Sequence, residues 1–359
     1  DELVVCDDGS TDSTLHILEE FSKASPFPVR IFRNEQTMGY ALNFEKAITL
    51  CEGDIIFLSD QDDKWFPEKI ETVIQIFESK RSEYVVLTDM IIADMDLNPS
   101  PYTQLGNILS AGESPERFCA GCCMAFRKSL LAVVFPFPDR LFGHDSWLSH
   151  VAVALGIRCL TPIPLQFYRR HGENASTWKL SEHRAVSQLR LHLAAGLGSA
   201  MQGWSDQISR YEATRARLVD RESALAQLGL SDRLPLAIHQ LDNRIENLTL
   251  RKRVVGRSRV IRWLFVVALW LRGGYKDFAG WKSAVKDLVR GAFGHAGQKC
   301  SATSLALVEK EVYDNPKFIQ QLKDAAECLK VGGSWDPSAT GTPVMRQPAQ
   351  YLEPGWKPL

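Results

Sequence analysis

The densest run of potential metal ligands in this chain is Asp60-Gln61-Asp62-Asp63, set directly after the apolar stretch Ile55-Ile56-Phe57-Leu58-Ser59. A buried strand that stops in clustered carboxylates delivers hard oxygen donors to one point at a sheet's carboxyl edge, where open α/β sheets bind ligands. Mg²⁺ or Mn²⁺, held by one or two carboxylates while substrate phosphates complete the sphere, suits such a cluster. Taken alone, the same four residues read equally well as a solvated acidic turn. A second acidic strand end changes the balance, because Leu3-Val4-Val5-Cys6 runs into Asp7-Asp8-Gly9-Ser10-Thr11-Asp12. Ser10 or Asp12 suits the cap of the helix that follows. Asp7 and Asp8 are left over, and a carboxylate there can accept hydrogen bonds from a base or ribose.

Between the two acidic turns lie Asn34, Gly39 and Asn43. In this order the motifs resemble the family 2 glycosyltransferases, a GT-A group that uses nucleotide-sugar donors. The wording Phe57-Leu58-Ser59-Asp60-Gln61-Asp62-Asp63-Lys64-Trp65 is most similar to the bacterial rhamnosyltransferase-like members. The resemblance runs over about residues 1–288 and implies an α/β, Rossmann-like GT-A domain that inverts the donor's anomeric carbon. It implies Asp60, Asp62 and Asp63 around a Mg²⁺ or Mn²⁺ ion that serves the leaving diphosphate as Lewis acid and template. Asp7, Asp8, Asn34 and Gly39 would hold the nucleotide.

Asp145, in Phe142-Gly143-His144-Asp145-Ser146-Trp147-Leu148, matches the family's base, which takes the acceptor's proton as the new bond forms. A lone aspartate at a helix start is otherwise an N-cap. Gly121, in Cys119-Ala120-Gly121-Cys122-Cys123, falls at the small-residue turn beside the acceptor cleft, with Trp147 as a neighbouring wall. Tyr168-Arg169-Arg170-His171-Gly172-Glu173-Asn174 matches a Tyr-Arg-x-His-x-x-Asn motif. Arg169 and Arg170 suit a diphosphate through forked hydrogen bonds, and His171 suits a phosphate or the metal; outside this order, Arg-Arg-His is a solvated loop. The implied donor is a UDP- or dTDP-sugar and the implied acceptor a saccharide or lipid-linked hydroxyl, in surface polysaccharide or O-antigen synthesis. The family carries a strand and helix ahead of its Asp-Asp-Gly-Ser turn. Here that turn begins at Asp7, so the resemblance implies a domain without its first βα unit, an exposed strand edge and weakened or absent activity.

The tail reads differently. Gly291-Ala292-Phe293-Gly294-His295-Ala296-Gly297-Gln298-Lys299-Cys300-Ser301-Ala302 resembles the catalytic-cysteine segment of aldehyde dehydrogenases of the pyrroline-5-carboxylate type, continuing through Glu309, Tyr313 and Leu352-Glu353-Pro354-Gly355. Cys300 matches that family's thiolate nucleophile. It is stranded: residues 265–276, where the family carries its glutamate base, contain no acidic residue, and no dinucleotide fingerprint stands upstream. The seam between the two resemblances falls near 288–291, and an NAD(P)-dependent oxidation is the weaker alternative. A third reading is a non-catalytic fragment that binds nucleotide through Asp8.

The elements that must position these residues follow from pattern. Apolar runs at 3–6, 29–32, 54–58, 84–88, 122–126 and 158–160 predict strands. They alternate with helical spacing at 13–22, 40–50, 67–78 and 145–155, as an α/β domain over 1–178 requires. Residues 179–290 predict helices, with an antiparallel hairpin broken near Gly229 and Pro235, and 291–359 form the dehydrogenase-like segment. With 45% hydrophobic and 24% charged residues in 359, the chain is ordinary globular material for two domains. A net charge of −1 gives no field for nucleic acid. Cys119, Cys122 and Cys123 lack a second Cys/His pair at zinc spacing and read as packed thiols. No secretory signal opens the chain and the apolar run at 263–271 is too short to span a bilayer, so a cytoplasmic protein is expected. The basic residues from Arg251 to Arg262 beside that run suit either a membrane surface at 251–271 or a helix packed on the catalytic domain.

Overall fold

The computed structural model describes residues 1–110, 114–138, 143–170 and 196–256, together with Leu269 and Arg272. The chain divides into two compact units, Asp1–Leu180 with Asp206–Ile245, and Ser181–Ser205 with Glu246–Leu359. Every candidate site residue described below lies in the first unit. Helical residues 206–245 thus fall in the same compact unit as the α/β residues.

The strands are β1 (Leu3–Asp7), β2 (Val29–Arg33), β3 (Ile55–Phe57), β4 (Lys64–Trp65), β5 (Val85–Ala93), β6 (Pro99–Thr103), β7 (Met124–Arg127) and β8 (Arg158–Arg169). β1 and β2 form a two-stranded parallel sheet in register Leu3 to Val29. The other six form a mixed sheet in the order β3-β7-β5-β8-β4, with β6 also on β5. Within it β5 and β8 run parallel, while β7 runs antiparallel to both β3 and β5. Among the described residues, β1 and β3 therefore each keep one edge without a ladder partner.

Alternation along the strands separates two apolar layers, as successive side chains of a strand must point to opposite faces. Val85, Leu87, Met124, Phe126 and Ile56 face one core, which also takes Trp147, Leu148 and Val151. Val86, Ala125, Ile55 and Phe57 face the other, with Val73, Phe77 and Leu165. The helices are α1 (Thr14–Ala24), α2 (Tyr40–Leu50), α3 (Lys69–Ser79), α4 (Gln104–Ser110), α5 (Leu131–Val134) and α6 (His144–Leu155). Then follow α7 (Gly196–Asp220), α8 (Glu222–Gln227) and α9 (Leu234–Gly256). α3 covers the second core through Val73 and Phe77, four residues apart on one face. The first core is completed by α6 and by Leu218, Leu225, Leu230 and Leu241 of the helical hairpin. That hairpin turns at Gly229, whose φ of 71° suits glycine, and Pro235 sits in the first turn of α9, where its missing N–H costs nothing. Among the described residues no helix is long and apolar enough to cross a membrane. Residues 257–268, 270 and 271 lie outside them, so the expected membrane contact is without a structural account.

Candidate active site

β3 ends at Phe57, one residue before the expected Leu58, and the carboxylates follow. Oxygen donors of Asp60 and Asp63 and the Cys122 sulfur all lie within 4.8 Å of one another. Burial pushes Asp60 up to about 6, helped by the negative charges of Asp63, Asp62 and Asp145. The last of these couplings joins the acidic turn electrostatically to the start of α6. Burial raises Asp63 as well. A hydrogen bond with Cys123 and burial push the Cys122 thiol well above its usual range, and its sulfur lies against the Asp60 and Asp63 carboxylates. Two of these three groups are carboxylates, and carboxylate oxygens suit a hard divalent cation such as Mg²⁺ or Mn²⁺. Cys119, Cys122 and Cys123 are all free thiols.

Asp145 stands in the first turn of α6, after the N-cap Gly143. Its Oδ2 accepts from Gly121 N at 3.2 Å and its Oδ1 from Ser146 N at 2.6 Å. Close approach explains both glycines. A Cβ on Gly121 would meet His144 Nε2 at 3.0 Å and Asp145 Cβ at 3.4 Å, and one on Gly143 would meet Asp145 Oδ1 at 2.9 Å. His144 is 6% exposed, stacks on Phe44 with ring centroids 4.0 Å apart, and among the described residues has no hydrogen-bond partner at either ring nitrogen. Burial lowers its pKa, against the pull of Asp145. Only the motif string marked His144; its burial had no sequence signal.

At the end of β1 the carboxylates organise their own loops. Asp7 is 5% exposed and accepts from Gly9 N and Ser10 N, with Arg33 3.7 Å away. Asp8 Oδ1 accepts from Asn34 Nδ2 at 2.7 Å and Met38 N at 2.8 Å, and Oδ2 accepts from Gly39 N at 2.8 Å. Those bonds, that from Met38 first, hold Asp8 below the usual carboxylate range. Gly39, with φ 84°, then starts α2, whose Tyr40 ring lies 6.2 Å from His144. Asp8, Asn34 and Gly39, the residues expected to hold a nucleotide, are therefore one bonded cluster, and α2 carries it toward the start of α6.

One expectation is revised. Trp147 is no cleft wall: it is 1% exposed, donates from Nε1 to Val134 O at 2.8 Å and carries Arg217 over its ring, because helical spacing from Asp145 turns it into the core. Arg169 bonds backbone, donating from Nε to Asp62 O and from Nη1 to Met95 O, both at 2.8 Å. Its main-chain N–H also reaches Asp63 Oδ1 at 3.2 Å. Arg170 continues the frame through its N–H to Ala93 O. His171 and Cys300 lie outside the described residues.

The sequence agrees with a known family over this same ground. Residues 1–135 match the glycosyl transferase family 2. The match stops ten residues short of Asp145, so it covers both acidic turns and Gly121 but not the candidate base. Residues 276–351 match the aldehyde dehydrogenase family, starting ahead of the seam expected near 288–291. An uncharacterized glycosyltransferase of Nostoc sp. is 25% identical over 207 residues, 54% of this chain and 63% of that protein. This chain thus spans less than two thirds of that relative. The UDP-Glc:alpha-D-GlcNAc-diphosphoundecaprenol beta-1,3-glucosyltransferase WfaP of Escherichia coli is 25% identical over 189 residues, covering 50% of this chain and 70% of that one. Among solved structures, the mannosyltransferase PcManGT from Pyrobaculum calidifontis, in complex with GDP-Man and Mn2+, superposes with a TM-score of 0.39 at 16% identity, covering 80% and 77% of the two chains.

Proposed function

We propose that the first unit of this chain transfers a sugar, with inversion, from a UDP- or dTDP-sugar to a hydroxyl of a saccharide or lipid-linked acceptor. The observation that carries this reading is that one turn touches both acidic groups: Gly121 N donates to Asp145 Oδ2 at 3.2 Å, and the sulfur of the next residue, Cys122, lies within 4.8 Å of the Asp60 and Asp63 oxygens. Asp145 is fixed by Gly121 N and Ser146 N, which aims its carboxylate while leaving lone pairs for the acceptor's proton. The acceptor oxygen attacks the anomeric carbon, the bond to the diphosphate breaks, and Asp145 takes the hydroxyl proton. Asp60, Asp62 and Asp63 would hold Mg²⁺ or Mn²⁺, which when bound supplies charge neutralisation to the diphosphate. Asp8, Asn34 and Gly39 form the nucleotide end of the site. The E. coli relative, whose name gives a UDP-glucose donor and an undecaprenol diphosphate acceptor, supports a lipid-linked saccharide in surface polysaccharide synthesis. A rhamnosyl donor and contact with the inner membrane face through 251–271 belong to the same proposal on sequence grounds.

The test is release of nucleoside diphosphate from UDP- and dTDP-sugars over an acceptor panel, with Mn²⁺ or EDTA. Turnover should need the cation and vanish in Asp62→Asn. Turnover that persists in EDTA would count against the site assignment.

A further inference from the structure

Beneath the acidic turn lies a buried cation for which sugar transfer, as proposed, has no use. Lys69 is 1% exposed in the first turn of α3, on the same inward face as Val73 and Phe77. Its Nζ donates to Gln166 Oε1 at 2.5 Å and to Cys122 O at 2.8 Å, and sits 3.9 Å from the centroid of the Trp65 ring. Gln166, fully buried in β8, donates from Nε2 to Asp63 Oδ2 at 2.7 Å. An ammonium group can only donate, whereas the two ends of a primary amide are nearly isosteric and of opposite hydrogen-bonding sense. With Lys69 on one side, the amide oxygen must face the lysine and the N–H₂ must face Asp63.

We propose that Lys69 is a positioning residue for the cation site, acting through Gln166 to fix Asp63 and with it the arrangement of oxygens that the acidic turn offers. The proposal rests on the reading of that turn as a divalent-cation site. Asp63 takes one bond from Gln166 Nε2 and one from Arg169 N, one on each oxygen, with the Cys122 thiol beside them, and the carboxylate still has a lone pair to offer. Acting through charge alone, a buried ammonium here would oppose a second cation. Acting as a positioning residue it favours one. Removal of Lys69 therefore changes cation affinity in opposite directions under the two roles.

The experiment is calorimetric titration of Mn²⁺ into wild type, Lys69→Met, Gln166→Leu and the double variant, without donor, with folding followed by circular dichroism. Each single change should weaken Mn²⁺ binding by about tenfold or more. The double change should be no worse than the poorer single, since the two residues act in series. Lys69→Met that binds Mn²⁺ as well as or better than wild type overturns the proposal, as do additive losses. A lowered melting temperature with unchanged affinity marks a role in folding alone and also overturns it. If Lys69→Met does not fold, Gln166→Leu decides, because the lysine keeps Cys122 O and the Trp65 ring as partners; unchanged affinity there overturns the proposal. Wild-type protein that binds no Mn²⁺ overturns the cation-site reading itself, a result distinct from wild-type binding with unaffected variants.

Discussion

Asp60→Asn should stabilise the cation-free protein at neutral pH, although it removes a group central to the proposed activity. In the folded chain Asp60 holds its proton up to about pH 6, against an ordinary value of 3.8. A carboxyl raised in this way is unpenalised while both folded and unfolded chains keep the proton, below about pH 4. Its penalty grows as pH rises through the window from about 4 to about 6 and is complete above it, because there the folded state must give up a proton it holds more tightly. About two pH units at ~1.4 kcal/mol each give an upper bound of about 3 kcal/mol. For a unit of this size that corresponds to a melting-temperature gain of several degrees. Thermal melts of wild type and Asp60→Asn in EDTA between pH 4 and 8 read the effect directly. The variant should melt higher at pH 7.5, and the gap should close on acidification. Adding Mn²⁺ should reverse the order, since the cation stabilises only the chain that binds it well. A variant that melts at or below wild type in EDTA at pH 7.5, or a gap that persists at pH 4, would refute the reasoning.

Three further outcomes test other parts of the site. Asp145→Asn should lower sugar transfer by about 10²-fold or more while Mn²⁺ affinity is kept, as expected of a general base; parallel loss of cation binding by calorimetry would contradict that role. Gly121→Ala puts a methyl 3.0 Å from His144 Nε2 and 3.4 Å from Asp145 Cβ. It should cut nucleoside diphosphate release far more than it lowers the melting temperature, and unaltered turnover would show that the approach of Gly121 to Asp145 is immaterial. Trp147→Ala removes a buried ring from beneath Arg217 while Val134 O keeps Arg217 Nη1 as a donor, so urea denaturation should show a loss of about 3–5 kcal/mol, and a loss under about 1 kcal/mol would restore Trp147 to the cleft.

Much of the frame was legible in sequence because its elements are locally consistent. The helix expected at 40–50 is α2 to the residue, and β1, β2, β3, α3 and α6 depart from expectation by no more than two residues at either end. The misses share a cause, which is polar or proline residues that tertiary contacts make acceptable. A strand expected to stop at Thr88 continues to Ala93, because buried Asp89 accepts from Met90 N and Leu105 N instead of breaking the run. The strand expected at 158–160 extends to Arg169 past Pro162 and Pro164, where its pairing with β5 shifts register twice. Neither β6 nor α4 carried a periodic pattern strong enough to be read, and both depend on β5 and its Asp89 for their place.

The site divides along the same line. Carboxylates announce themselves in sequence, since clustered like charge at a strand end is costly unless something opposite binds there. The groups that aim them are harder to see. Gln166 lies 103 positions beyond Asp63, in a strand whose prolines hid its length, so nothing local connects the two. Lys69 was different: Lys69, Val73 and Phe77 recur at four-residue spacing, which sets an ammonium on the apolar stripe of a helix that begins directly after the acidic turn. A lysine on such a stripe must either snorkel to solvent or find partners inside. Six residues after Asp63, and with a tryptophan one turn before it, the inward choice brings it beneath the carboxylates. A charged residue out of phase with its helix's polarity, placed close behind an acidic strand end, is thus a readable sign of the layer that supports a metal-ligand cluster, even where the strand that completes the layer is not.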